Sequence, residues 1–249
     1  MKFQKEYIVR VFECDPSSKL SISSLLNYMQ DIAADHTVEL NITIPELLKR
    51  GLTWMLSRYH IHVVRYPFYH EKTIMKTWIA EHDGMFSIRD FTLESEQGQI
   101  LARMTSSWVL YDIVNKKIVN VSDTLPLDEH IIHERAIDDS FSKLMLPNTP
   151  QYSVDPQIRR LDIDINNHVN NRVTIEWALE PVPDEIIKNF NLSEIEITFK
   201  SQAFYGDKIR SDLQFNEETE QLSGLHHISN IDTGNSITIV NTKWQKLES

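Results

Sequence analysis

The 249-residue chain runs through one structural plan twice. In the first pass, Phe3 to Phe12 reads as a strand and a Cys-Asp-Pro-Ser-Ser turn follows. Ile22 to Leu40 then carries Leu25, Leu26, Met29, Ile32 and Ala33 at helical spacing, which gives one apolar face. Thr43-Ile-Pro-Glu46 is a capping-box pattern opening a short helix that Gly51 ends. Segments 52–66, 72–82, 85–96, 99–113 and 116–121 are rich in β-branched and aromatic residues. Turn signals at Asp83-Gly84, Gln97-Gly98 and Asn115-Lys116 separate them into antiparallel strands. The plan then restarts. Ile158 to Ile165 reads as a strand, an Asn/Asp-rich turn follows, and a helix from about His168 to Leu179 is ended by Pro181 and Pro183. A helical turn spans Asp184 to Phe190. Strands return at 194–204, 207–215, 220–231 and 235–245, with Asp232-Thr-Gly234 as a hairpin signal.

Two matches, the first without a gap, support an internal repeat. Arg10-Val-Phe-Glu-Cys-Asp15 lies on Arg159-Arg-Leu-Asp-Ile-Asp164, and Phe68-Tyr-His-Glu-Lys-Thr-Ile74 resembles Phe204-Tyr-Gly-Asp-Lys-Ile209. The alternative is chance similarity of two α+β halves. A sheet wrapped round one helix buries the apolar faces of both in each half. The expected organisation is an N-terminal unit at 1–123, a linker at 124–150 bracketed by Pro126, Pro147 and Pro150, and a C-terminal unit at 151–249.

Composition removes several function classes. The net charge of −11 argues against general nucleic-acid binding. The six glycines include no G-x-G pair and none precedes Lys-Ser/Thr, so dinucleotide, P-loop and G-x-S-x-G signatures are missing. The single cysteine, Cys14, rules out an internal disulfide and a cysteine zinc cluster. Apolar runs are broken by charge too often to span a bilayer. Residues 1–10 have no apolar core of a secretory signal, so the expected compartment is a reducing cytoplasm.

Chemistry concentrates in one segment. Six of the ten residues from Asp162 to Asn171 are Asp or Asn, with His168 among them. Helix capping accounts for one or two. Asp164, Asn166 and His168 alternate, so an extended backbone would turn all three to one side. A carboxylate, an amide and an imidazole at a helix start suit proton transfer and an oxyanion.

The run Asp162-Ile-Asp-Ile-Asn-Asn-His-Val-Asn-Asn171, followed by Trp177 and Glu180, resembles the signature of acyl-acyl-carrier-protein (acyl-ACP) thioesterases, plant and bacterial. The turn at 14–20, Thr53-Trp54 and Arg65-Tyr-Pro67 fit the same family, and the similarity runs from about residue 3 to 246. The resemblance implies a double hotdog, two helix-in-sheet units in one chain. It also implies hydrolysis of the thioester joining a fatty acyl chain to the phosphopantetheine of acyl carrier protein. The family's catalytic Asp, Asn and His fall on Asp164, Asn166 and His168. The first-half counterparts are Asp15, Ser17 and Lys19, so one active site per chain is expected. Where the family usually has glutamate, often followed by cysteine, this chain has Gln202-Ala203. Gln202 is neither acid nor base, though its amide can orient water or His168. Attack by water is favoured, with Asp164 or His168 taking the proton; a covalent Asp164 intermediate is the weaker option.

Leu25, Leu26, Met29, Ile32, Trp54 and Met55 are candidates to line an acyl tunnel, or are plain core. Acyl carrier protein is acidic, as is this chain, so docking calls for local cations. Arg159, Arg160, Arg172 and Lys200 are the candidates, against ordinary surface charge. No metal or cofactor is expected: His60 and His62 share a strand face without an evident third ligand. His130 and His133 are expected to be solvated, His226-His227 to lie on the strand surface, and Glu94-Ser-Glu96 and Glu217-Glu-Thr-Glu220 to be hairpin charges. The rival readings are an acyl-CoA thioesterase on the same fold, a hotdog dehydratase and a non-catalytic acyl-binding protein. A homodimer is left open.

Overall fold

The computed structural model describes residues 1–217 and 221–247, in two units, Met1–Ser140 and Phe141–Ser249. The acidic run Glu217 to Glu220 lies outside the described residues, apart from the backbone of Glu217.

The first unit opens with strand β1 (Phe3–Ile8), shorter than the pattern suggests because Val11–Glu13 coils into a 3-10 turn. Helix α1 (Ile22–Glu39) starts where the Ser21 hydroxyl accepts from the Ser24 amide at 3.1 Å. Its Leu25, Leu26, Met29 and Ile32 are fully buried, each contributing about 2 kcal/mol by leaving water. Helix α2 (Ile44–Lys49) is capped by Thr43. It stops at Gly51, whose φ of +71° a side chain would strain. Five long or edge strands form an antiparallel sheet in the order β1, β3 (Lys72–Asp83), β4 (Phe86–Ser95), β5 (Ile100–Asp112) and β2 (Leu52–Val63). A short β6 (Lys117–Val119) pairs with β5. Bulges at Leu56/Arg58 and Ile79/Glu81 increase the local twist, and α1 packs against β1 and β3.

Helix α3 (Val121–Thr124) leads into residues 125–136, which bind the first unit. Leu125 and Leu127 are in its core. The Ile132 amide donates to the Ile79 carbonyl at 2.9 Å, Trp78 Nε1 donates to the Glu134 carbonyl at 2.7 Å, and the Ala136 amide donates to Asp90 at 2.6 Å. His130 and His133 are exposed.

The second unit has β7 (Tyr152–Val154), α4 (Asn171–Leu179), α5 (Asp184–Asn189), β8 (Phe190–Phe199), β9 (Ile209–Glu217), β10 (Gln221–Asn230) and β11 (Ser236–Lys246). The antiparallel order is β8-β11-β10-β9-β7. Helix α4 packs on β9, β10 and β11 through Val173, Ile175, Trp177 and Ala178. It is half as long as α1 because Pro181 and Pro183 follow. The first unit is thus a sheet about α1 and the second a sheet about α4, the hotdog arrangement twice over.

Two expectations are corrected. Residues 158–165 do not form a strand; they hold a 3-10 turn, Arg160–Asp162, and a single bridge at Ile163. His226 is fully buried, not on the surface, because neighbours on a strand face opposite ways and His226 takes the helix side. Its Nδ1 bonds the Ala178 carbonyl at 2.6 Å and its Nε2 bonds Thr242 Oγ1 at 2.9 Å. Burial pushes its pKa down to about 4.

Candidate active site

The segment from Arg159 to Asn170 is a closed loop built on side-chain and backbone bonds. The Arg159 amide donates to Asp162 Oδ2 at 2.7 Å, and its guanidinium reaches Oδ1 at 2.8 Å. The carboxylate of Asp162, buried and paired, anchors the start. The Asp164 amide donates to the His168 carbonyl at 2.8 Å and the Asn167 amide to the Asp164 carbonyl at 3.0 Å. Asn167 takes a φ of +63°, which Asn tolerates better than most residues. Asp164 Oδ1 accepts from the Asn166 amide at 2.8 Å. The Asn170 amide returns to the Asp162 carbonyl at 2.8 Å, and the Asn170 side chain caps α4 through the Arg172 amide at 2.9 Å.

The alternation of Asp164, Asn166 and His168 therefore does not act through an extended strand. A turn brings Asp164 and His168 to its two ends, both half-buried, and leaves Asn166 exposed. Asp164 Oδ2 takes no hydrogen bond among the described residues. The Val169 amide donates to the Ala203 carbonyl at 2.9 Å, which sets the exposed Gln202 one residue from the loop's anchor. The Phe204 ring stands edge-on to the His168 ring at 5.1 Å. Two amides at the α4 start, those of Arg172 and Val173, are already bonded to Asn170, so they are spent on the cap.

The four cations differ. Arg159 is paired with Asp162 and Arg172 with Glu176. Arg160 is exposed and lies over the Tyr205 ring, 4.5 Å from its centre. Lys200 is exposed, just after β8. Among the apolar candidates, Leu25, Leu26, Met29 and Ile32 line the buried face of α1, and Trp54 packs beside the core cluster of Leu52, Ile79 and Leu110. Met55 is exposed on the other face of β2. His60 Nδ1 bonds Asp139 Oδ2 at 2.8 Å. Phe204 and Tyr205 were not singled out as site residues, although the match between 68–74 and 204–209 marks them.

The family profile described as the acyl-ACP thioesterase N-terminal domain matches residues 1–126, and that of the C-terminal domain matches residues 148–246. The chain belongs to the acyl-ACP thioesterase family. It is 27% identical to a chloroplastic dodecanoyl-[acyl-carrier-protein] hydrolase of Umbellularia californica, over 98% of this chain and 67% of that protein. It is 25% identical to oleoyl-acyl carrier protein thioesterase 1 of Arabidopsis thaliana, over 85% of this chain and 63% of that protein. The chain thus spans about two thirds of the length of these plant relatives. Among solved structures, the 12:0-ACP thioesterase of U. californica superposes with a TM-score of 0.90 at 26% identity, covering 99% of this chain and 94% of that one. An acyl-ACP thioesterase from Bacteroides thetaiotaomicron shares the fold, with a TM-score of 0.85 at 20% identity over 97% of both chains. Among the described residues, no helix is long and apolar enough to cross a membrane.

Proposed function

We propose that the chain hydrolyses the thioester of fatty acyl-ACP, releasing free fatty acid and carrier and so ending or diverting chain elongation. The observation that carries it is the closed turn placing Asp164 and His168 at its two ends, in a chain whose halves match the family's two domains. Water adds to the thioester carbonyl while Asp164 or His168 takes its proton and the other orients it. Asn166 holds the carbonyl or the water. The tetrahedral intermediate collapses by breaking the carbon–sulfur bond, and the thiolate leaves and takes up a proton. A thiolate is a good leaving group, which lessens the need for a second carboxylate where Gln202 stands. We assign Gln202 the orientation of water or His168.

The second unit, 151–249, takes the chemistry in this reading. The first, 1–123, takes the acyl chain through Leu25, Leu26, Met29, Ile32 and Trp54, with Met55 the weakest member because it is exposed. Segment 124–150 connects them. Carrier docking falls mainly to Arg160 and Lys200, since Arg159 and Arg172 already have acidic partners. The compartment is the cytoplasm.

The test is fatty acid release from carriers loaded with chains of graded length, with matched acyl-CoAs alongside. Preference for carrier-bound chains is expected. Asp164→Ala and His168→Ala should each lower turnover at least ~100-fold. Near-normal turnover in a folded variant removes that residue from the mechanism. Reaction of CoA esters alone moves the substrate class to acyl-CoA. Release from neither leaves an acyl-binding protein, the reading that Gln202 keeps open.

A further inference from the structure

The loop before α1 repeats the main backbone bonds of the candidate active site. The Arg10 amide donates to Glu13 Oε2 at 2.7 Å, as that of Arg159 does to Asp162 Oδ2 at 2.7 Å. The Asp15 amide donates to the Lys19 carbonyl at 2.8 Å, as that of Asp164 does to His168. The Ser17 amide donates to Asp15 Oδ1 at 2.8 Å, as that of Asn166 does to Asp164 Oδ1. Ser18 and Asn167 have φ of 62° and 63°. The Leu20 amide reaches the Pro67 carbonyl at 2.8 Å, as that of Val169 reaches Ala203 at 2.9 Å.

The reactive groups have diverged. Ser17 and Lys19 stand where Asn166 and His168 stand. An ammonium cannot accept a proton at neutral pH. Asp15 Oδ1 is also more heavily used, accepting from the Ser17 amide, the Ser17 hydroxyl and the Lys19 amide at 2.8, 2.7 and 3.1 Å. This loop therefore lacks the means of hydrolysis.

The apolar collar round each loop has not diverged. Phe12 is 83% exposed and its counterpart Leu161 is 93% exposed. Phe68 and Phe204 are 49% and 45% exposed, and Tyr69 and Tyr205 are 53% and 54% exposed. The guanidinium contacts are not equivalent: Arg65, bonded to Glu71, lies over Phe68 at 5.9 Å, and Arg160 lies over Tyr205 at 4.5 Å. Side chains this exposed add nothing to the core, and clustered apolar exposure marks interaction surfaces. A collar kept at both loops while only one keeps its base serves binding rather than bond cleavage.

We infer that the loop Arg10 to Ser21, with Phe12, Phe68 and Tyr69, is a second, non-hydrolytic seat for the phosphopantetheine arm of an acyl carrier protein. The inference rests on the carrier-thioester reading of the catalytic loop. The arm joins an apolar thioester end to an anionic phosphodiester. The first loop offers exposed apolar side chains for the thioester end, and Arg10 and Lys19 in a loop that also carries Glu13 and Asp15.

The probe is a carrier protein whose phosphopantetheine ends in an alkyl thioether, which cannot be hydrolysed. Calorimetry and native mass spectrometry on the whole chain should count two carriers bound per chain. Phe12→Ser combined with Tyr69→Ser should reduce the count to one, with turnover of acyl-ACP kept within about twofold of the parent. Lys19→Glu should weaken the same event by at least ~10-fold and supplies a check independent of the double variant. One carrier per chain in the parent, with hydrolysis intact, overturns the second seat and spares the proposed activity. A count of two in the Phe12/Tyr69 variant overturns it as well. Neither binding nor hydrolysis of acyl-ACP overturns both.

Discussion

At the scale of single residues, the main question is how Asp164 can serve as the one carboxylate of the proposed reaction. Asp164 spends Oδ1 on the Asn166 amide, so the proposed reaction has the other oxygen and His168 to draw on. Gln202 is exposed and uncharged, and no proton moves through it. The acid limb of the kcat/KM profile should therefore follow no more than two ionisations, those of Asp164 and His168. Gln202→Glu should add a further ionisation to that limb while keeping neutral-pH turnover within about tenfold, because the exposed position accepts a charge without desolvation. A profile with three acid-side ionisations in the parent would bring in another carboxylate and end the one-carboxylate reading.

At the scale of elements, α4 is tied to the sheet by a buried histidine. His226 Nδ1 donates to the Ala178 carbonyl, in the last turn of α4, and its Nε2 bonds Thr242 Oγ1 on β11. Its pKa is about 4 in the fold against an ordinary 6.5, so between those values the unfolded chain binds a proton that the native chain refuses. The stability it contributes is complete above 6.5 and is lost as pH falls toward 4, roughly 2 kcal/mol by pH ~5. His226→Leu should flatten part of the fall in urea midpoint between pH ~7.5 and ~5. Only part is removed, since His36, His82 and His227 are depressed in the same direction. An unchanged fall would show that the burial of His226 does not govern acid stability. The same contact explains Gly224. A Cβ there would lie 2.5 Å from Thr242 Oγ1 and 2.8 Å from His226 Nε2. Gly224→Ala should cost about 1–3 kcal/mol in chemical denaturation, and an unaltered midpoint would mean the strand shifts freely. The sequence made the helices, most strands and the loop composition legible, because they follow from periodicity and turn residues. It hid His226 and the buried Arg89, which bonds His36 Nδ1 at 2.8 Å. Both depend on which strand face meets the helix, and polar residue type misleads there. It also hid the 3-10 turn at Arg160–Asp162, because Leu161-Asp-Ile-Asp-Ile165 alternates like a strand. The Arg159 and Asp162 bonds override that pattern.

At the scale of the whole chain, the repeat visible in two short matches extends to the hydrogen bonds, which only coordinates could supply. Because the first loop has the same backbone bonds as the catalytic one, the difference between them reduces to a few side chains. The decisive change is a graft. In a chain carrying His168→Ala, adding Ser17→Asn and Lys19→His places an amide and an imidazole on the first loop beside Asp15, within the collar of Phe12, Phe68 and Tyr69. Hydrolysis of acyl-ACP should rise at least ~10-fold over the His168→Ala parent, the lower end of what a positioned base supplies. The graft should leave the fold intact, since the Ser17 and Lys19 backbone amides, which any residue carries, still bond Asp15. Asp15 loses only the hydroxyl bond from Ser17, which frees its Oδ1 toward the condition of Asp164. Tyr66, one residue before Pro67 as Gln202 is before Ala203, keeps a hydrogen-bonding group in the equivalent place. A folded graft that still binds two thioether-loaded carriers yet gains no hydrolysis would mean that the first seat holds the arm with its carbonyl out of the imidazole's reach.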